Sequence, residues 1–190
     1  MNLIHNYQLK IVLAASLFLA SCGIGMDVPK IDGYTGQVTL ETESAEIASN
    51  GSTFETSNYL TAYIEIIPGN GYYLHLRADA NYDHNDSFVV KFGQTLNFKT
   101  RGGDLITFIT PADAAAISIT TVDHYYRNHY WSAAPVYALN YEDLVKITQS
   151  NFIGARLETD KGDMDFAMSN KESNGLKKLA SLAIKSQPHK

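Results

Sequence analysis

The sequence predicts an α+β fold, in which a mainly antiparallel β-sheet is joined by two helices in the C-terminal part. From about residue 35 to 122, apolar and polar residues alternate with a period of two, which is typical of strands that bury one face. Near the C-terminus, a second alternating hairpin lies between two segments with the 3.6-residue period of helices. These patterns leave open one alternative, a β-sandwich with peripheral helices.

The first predicted hairpin joins strands over 60–67 and 72–79. Every second residue of the latter strand is apolar or aromatic, whereas His75 lies on its polar face and is expected to face solvent. The connecting residues 68–71 are Pro, Gly, Asn and Gly, which pre-set a turn or accept positive φ. The alternation continues and predicts further meander strands. The residues that carry it are Phe88, Val90, Phe92, Leu96, Phe98, Leu105, Thr107 and Ile109.

Two helices are predicted beyond residue 140. Asn140 is a suitable N-cap for a helix over 141–150, because its side chain can accept a hydrogen bond from a free N–H of the first turn. Ser169, followed three residues later by Glu172, has the spacing of a capping box and starts the second helix. Gly175 is expected to weaken that helix by roughly 1 kcal/mol relative to Ala.

A hairpin is predicted between these helices. Apolar residues alternate with charged ones over 153–158 and again over 163–168. The turn between the two strands consists of Asp160, Lys161 and Gly162, with Gly162 placed for a left-handed backbone conformation.

The first 21 residues have the pattern of an export signal. A polar start ending at Lys10 is followed by a ten-residue run, 11–20, in which every residue but Ser16 is apolar. Ten residues rise only ~15 Å as a helix, about half of a ~30 Å hydrocarbon core. An export signal is therefore favoured over a spanning helix.

Leu19, Ala20, Ser21 and Cys22 close the apolar run, and this stretch resembles the lipobox of bacterial lipoproteins. The resemblance covers only the first 22 residues. It implies cleavage before Cys22, diacylglycerol on the Cys22 thiol and acylation of the new amino terminus, which together anchor a protein durably. In this family an Asp directly after the cysteine favours the inner membrane, so Gly23 implies the outer membrane, facing the periplasm, in a cell with two membranes. The alternative is an ordinary secretory signal with a buried cysteine.

The chain is predicted to divide into a signal peptide (1–21), a lipid-anchored tether (22–33) and one globular domain (34–190). The tether is inferred from glycines and a proline without helical or strand period. The formal net charge of −5 argues against nucleic acid and anionic head groups as main partners. The single cysteine excludes an intrachain disulfide, so core packing must hold the domain.

A hard-cation site is one hypothesis for the loop 79–86. Asp79, Asn81 and Asp83 place oxygen ligands at alternate positions, as a calcium loop does. The loop departs from that pattern at its sixth position, His84, and at its twelfth, Val90. A solvated turn is the alternative.

A ligand site is the second hypothesis, for the aromatic stretch 123–131. Its candidate residues offer stacking surfaces and hydrogen-bond donors to a sugar, peptide or cell-wall fragment. Half-buried packing on the sheet is the alternative. The candidates are His124, Tyr126, His129, Tyr130 and Trp131. His124 and His129 are five residues apart, which does not suit a zinc pair on one helix or strand.

Patterns of known catalytic motifs are missing from the sequence: it has no nucleophile elbow, phosphate loop, dinucleotide glycine signature or metalloprotease helix. We therefore expect a membrane-anchored envelope lipoprotein without a cofactor, acting as a non-enzymatic binding or structural module for an envelope protein or glycan. A hydrolase acting on an envelope polymer is the alternative.

Overall fold

The computed structural model describes residues 24–27, 29–31, 37–50, 58–81, 87–122 and 127–186. Cys22 with the whole signal segment, Asp83, His124 and Tyr126 lie outside the described residues. At positions 81, 119–122 and 127–129 only the backbone is described.

Strands dominate the described part of the chain, and the predicted α+β fold is confirmed. The strands are β1 (Lys30–Ile31), β2 (Val38–Glu41), β3 (Ala45–Asn50), β4 (Asn58–Ile67), β5 (Gly71–Asn81), β6 (Val89–Val90), β7 (Thr95–Thr100), β8 (Leu105–Ile109), β9 (Ala114–Ala115), β10 (Ile117–Val122), β11 (Arg127–Ala133), β12 (Val136–Leu139), β13 (Phe152–Thr159) and β14 (Gly162–Ala167). The helices are α1 (Tyr141–Gln149) and α2 (Asn170–Lys185).

One antiparallel sheet contains all strands except β6 and β9, which pair with each other. Its main path runs β10-β11-β5-β4-β3-β14-β13-β7-β8, and both predicted hairpins, β4–β5 and β13–β14, are present. The sheet curls, so that β8 approaches β12 across the gap between them. There the rings of Phe108 and Tyr137 lie 6.4 Å apart, and Thr110 Oγ1 is 3.4 Å from the Tyr137 hydroxyl.

The hydrophobic core lies between the concave face of this sheet and the two helices. Alternate strand residues such as Leu74 and Phe98 are fully buried there, together with Leu144 of α1 and Leu176 and Leu179 of α2. Burying one such leucine side chain contributes about 1.5–3 kcal/mol. The helices are thus held mainly by one apolar face each.

Both helices begin at the predicted caps. The Asn140 side chain accepts the Asp143 N–H (2.8 Å), and the Asp143 carboxylate accepts the Asn140 N–H (3.0 Å). Ser169 and Glu172 form the same reciprocal pair at the start of α2. Each pair satisfies two backbone donors that a helix start leaves without an intrahelical partner.

The structure differs from the predicted alternation in β6–β8. Phe92 was expected on a strand, but it lies in the turn after β6 and is 72% exposed. Gly93 at φ +84° reverses the chain there, and the Phe92 N–H donates to the Asp113 side chain. In β8, Leu105 and Ile109 face outwards, because pairing with β7 places Phe108 opposite the buried Leu96. The period was right, whereas the face was fixed by the register of the β7–β8 hairpin.

Residues 25–27 and β1, which composition indicated to be part of a tether, pair with the sheet. β1 pairs with β2, and the Asp27 N–H donates to the Glu41 carbonyl (2.8 Å). Gly25 and Glu43 also bond backbone to backbone (2.8 Å), and Ile24 packs against the core. Pairing along a strand edge uses backbone groups and needs no apolar alternation, so composition alone missed it.

Candidate functional site

The outer face of β4, β5 and β11 carries a set of interacting polar and aromatic side chains. Alternation in a strand sends every second residue away from the core, so the outward residues of these neighbouring strands meet. We call this set the outer-face cluster. Its members are Tyr63, Glu65, His75, Arg77, Asp79 and Tyr130.

One half of the outer-face cluster is an aromatic stack beside a carboxylate. Tyr63 and His75 are direct partners across β4 and β5, and their rings lie 4.5 Å apart and nearly parallel, at 6°. His75 Nε2 is 2.7 Å from Glu65 Oε2, and these two side chains are 24% and 22% exposed. Burial raises the pKa of Tyr63, and the charges of Glu41 and Glu65 add to that shift. Its hydroxyl therefore stays protonated and available as a donor.

The other half is built around Arg77. Its Nε donates to Asp79 Oδ1 (2.9 Å) and to Ser132 Oγ (3.2 Å), and its Nη2 donates to the Tyr130 hydroxyl (2.9 Å). The guanidinium carbon also lies 5.6 Å from the centre of the Tyr130 ring, within cation–π range. Chiefly through the Asp79 bond, the pKa of Arg77 is raised. The result is a fixed cation with 46% of its side chain exposed.

The structure separates two members of the predicted aromatic site. Tyr130 lies in the outer-face cluster, whereas Trp131 points to the opposite face and packs partly buried against the core. Alternation along β11 enforces this, since Ala133, two residues after Trp131, is fully buried. His129 pairs through its backbone with Thr120 in β10. The prediction for 123–131 therefore remains a prediction, with Tyr130 as its half-buried member on the outer face.

The predicted cation loop begins later than the sequence indicated. Asp79 and Asn81 lie within β5, where Asn81 pairs with Tyr130. The Asp79 carboxylate is held by Arg77, which neutralises the charge that a metal would need. Among the described residues, no group of three or more His, Cys, Asp or Glu side chains is placed to hold a metal ion. The hypothesis for Asp79, Asn81 and Asp83 stays a prediction.

A second surface feature is an open cleft of about 380 Å³ between β8 and α1. Asp104, Asp143 and Lys146 contribute its charged groups. The Asp143 carboxylate accepts the Asn140 N–H as part of the α1 cap, so it already has a structural role.

Sequence reasoning missed Tyr63, Glu65 and Arg77 as possible binding residues. The available signal was the polar face of the first hairpin, but the stack and the Arg77 fork depend on the pairing registers of three strands.

Comparisons of the chain with protein-family models, with curated proteins and with solved structures found no match. Within the part of the chain that the structure describes, no helix is long and apolar enough to cross a membrane.

Proposed function

We propose that this protein is a membrane-anchored envelope lipoprotein, and that its domain is a non-enzymatic binding module. The observation that carries the proposal is the run Leu19, Ala20, Ser21, Cys22 at the end of an apolar segment of export-signal length. Lipid on Cys22 is the membrane anchor. Gly23 favours the outer membrane, facing the periplasm, where the cell has two membranes.

The outer-face cluster is the proposed binding surface, and an envelope protein or glycan is the proposed partner. Arg77 offers a fixed, half-exposed guanidinium that suits a carboxylate or a row of sugar hydroxyls. The neighbouring Tyr63–His75 stack offers aromatic surface with polar edges. Arginine and tyrosine are enriched among the residues that contribute most of the binding energy at protein interfaces, which supports this surface as a binding surface.

A hydrolase acting on an envelope polymer is the rival proposal. It needs convergent acid and base groups in a cleft. The cleft beside α1 contains Asp104 and Asp143, and the second of these caps the helix. This prior engagement of Asp143 favours the binding module.

Metabolic labelling with an alkyne-bearing fatty acid tests the anchor. The wild-type protein is expected to incorporate label and to fractionate with membranes. Cys22→Ser is expected to abolish both, because the chain has no other thiol. Ser21→Gly is the matched control, since it keeps a small residue before the cysteine and is expected to label normally. Unchanged labelling and membrane association in Cys22→Ser contradict the proposal.

Affinity purification of the lipidated protein from its own membranes tests the binding surface. Arg77→Gln is expected to lower recovery of a specific partner at least tenfold, whereas Arg156→Gln, a control on the outer face of β13, is expected to leave it unchanged. Purified cell-wall polymer forms a second arm. Cosedimentation lost in Arg77→Gln supports a glycan partner, and release of soluble fragments from the polymer favours the hydrolase instead.

A further inference from the structure

Residues 25–27 pair with residues 41–43, and β1 pairs with β2, so the start of the domain lies close to Cys22 in the chain. We infer that the acylated Cys22 holds the domain directly on the lipid head groups, in one orientation, instead of suspending it on a flexible tether. This inference rests on the proposed function, because it needs lipid on Cys22. The surface that faces the bilayer, here named the anchor-side surface, consists of Glu43, Ser44, Lys171, Asn174 and Lys178.

The first step is that the chain is fixed as early as Gly25. Its N–H donates to Glu43 Oε2 (2.8 Å), and its carbonyl accepts the Glu43 N–H (2.8 Å). Met26 and Thr42 form a β-bridge, and the Asp27 N–H donates to the Glu41 carbonyl (2.8 Å). These three hydrogen bonds, two of which make up the Met26–Thr42 bridge, leave no free segment between residues 25 and 27.

Ile24 is fixed by packing in addition. It is half-buried against the core, and its Cδ1 lies 3.9 Å from the position that a Cβ on Gly175 would occupy. A side chain at 175 would also lie 3.5 Å from the Glu46 carbonyl oxygen. The chain therefore leaves the domain between α2 and the start of β3.

Covalent geometry then limits the distance to the lipid. Cys22 precedes Ile24 by two residues, and consecutive Cα atoms are about 3.8 Å apart, so the two Cα atoms lie within about 8 Å. A free tether of twelve residues would instead reach about 40 Å when extended. The attached segment removes most of that reach, so the domain stays within contact distance of the head groups.

The anchor-side surface suits a layer of head groups. Lys171 and Lys178 lie one helical turn on either side of Gly175, and Ser44 and Asn174 are exposed polar side chains. Ammonium groups contact lipid phosphates, whereas the Glu43 carboxylate is already occupied by the Gly25 N–H. The outer-face cluster lies on the face of β4, β5 and β11 that points away from the core, not on the anchor-side surface.

Energy transfer from the protein to the lipid tests this orientation. The lipidated full-length mature protein is reconstituted in vesicles of phosphatidylethanolamine and phosphatidylglycerol that contain an acceptor-labelled lipid. A donor dye is attached at Asn174→Cys or at Lys161→Cys, since the Cys22 thiol is blocked by its lipid. Lys161 lies in the β13–β14 turn. From Glu46, beside Gly175, it is three residues along β3 to Ser49, and from its partner Ala167 it is six residues along β14 to Lys161. At about 3.3 Å per residue, Lys161 is roughly 30 Å from the level of position 174.

The donor at position 174 is expected to be quenched at least threefold more strongly than the donor at 161. Twenty Gly and Ser residues inserted between Gly23 and Ile24 are expected to remove that difference while both variants still float with the vesicles. Equal quenching at the two positions without the insertion overturns the orientation. Failure of the parent protein to float with vesicles overturns the lipid anchor itself, so the two failures are distinguishable.

Discussion

Replacing Gly175 by alanine tests the packing around the N-terminal segment. A methyl group at this position would lie 3.5 Å from the Glu46 carbonyl oxygen and 3.9 Å from both Ala45 Cβ and Ile24 Cδ1, which are ordinary contact distances. The site accepts the methyl group, and the helix interior gains about 1 kcal/mol because alanine replaces glycine. For a domain of this size the melting temperature is expected to rise by about 2–4 °C.

Gly154→Ala is the matched comparison, because it adds the same methyl group to a different environment. There the new Cβ would lie 3.0 Å from the Phe166 carbonyl oxygen, whose strand is held by pairing with β13. We expect a loss of about 1–3 kcal/mol from this overpacking. Urea unfolding of both variants in one Cys22→Ser background measures the two free energies of unfolding.

The packing is refuted if Gly175→Ala destabilises the domain as much as Gly154→Ala does. A double-mutant cycle sharpens the result. Ile24→Ala is expected to reduce the gain from Gly175→Ala by a few tenths of a kcal/mol, because the contact with the Ile24 side chain is removed. Full additivity of the two changes means that Ile24 does not lie against α2.

Two further predictions concern pH and stability. Burial raises the pKa of Tyr137 to about 12, so its contribution to the free energy of unfolding is complete below pH 10 and is lost as the pH rises towards 12, by about 3 kcal/mol in all. Tyr137→Phe should therefore flatten the dependence of the free energy of unfolding on pH above 10, and an unchanged slope refutes this. Burial raises the pKa of Glu172, but hydrogen bonds from Ser169 and Ser49 outweigh burial and lower the pKa overall. The ionised carboxylate therefore stabilises the folded domain at pH 7, and this stabilisation is lost as the pH falls below about 4. Because Ser49 donates a hydrogen bond to the Glu172 carboxylate, Ser49→Ala should lower the free energy of unfolding by about 1–3 kcal/mol at pH 7 and by less at pH 3. Ser44→Ala is the control and should leave it unchanged. Equal losses for Ser49→Ala at pH 7 and pH 3 contradict the assignment.

Local signals in the sequence sufficed for the elements of the C-terminal part. Asn140 and Ser169 predicted the two helix starts because capping depends on residues within one turn. Gly162 predicted its turn because a positive φ, here +112°, favours glycine. These features need no knowledge of the rest of the chain.

Features that depend on pairing register were not predictable in this way. The outward face of Leu105 and Ile109 follows from the register with β7, and the attachment of β1 follows from its pairing with β2. The stack of His75 on Tyr63 likewise requires the register of two strands. A single sequence states the period of a strand but not which neighbour it will pair with.

Lipid attachment at Cys22 can be read from the mass of the N-terminal peptide of the mature protein. After membrane extraction and proteolysis, we expect a peptide that begins at Cys22 and carries diacylglycerol on the thiol, with an acyl chain on the new amino group. A peptide that begins elsewhere, or a free Cys22 thiol in the membrane-bound protein, would contradict the lipid anchor and the orientation inferred from it.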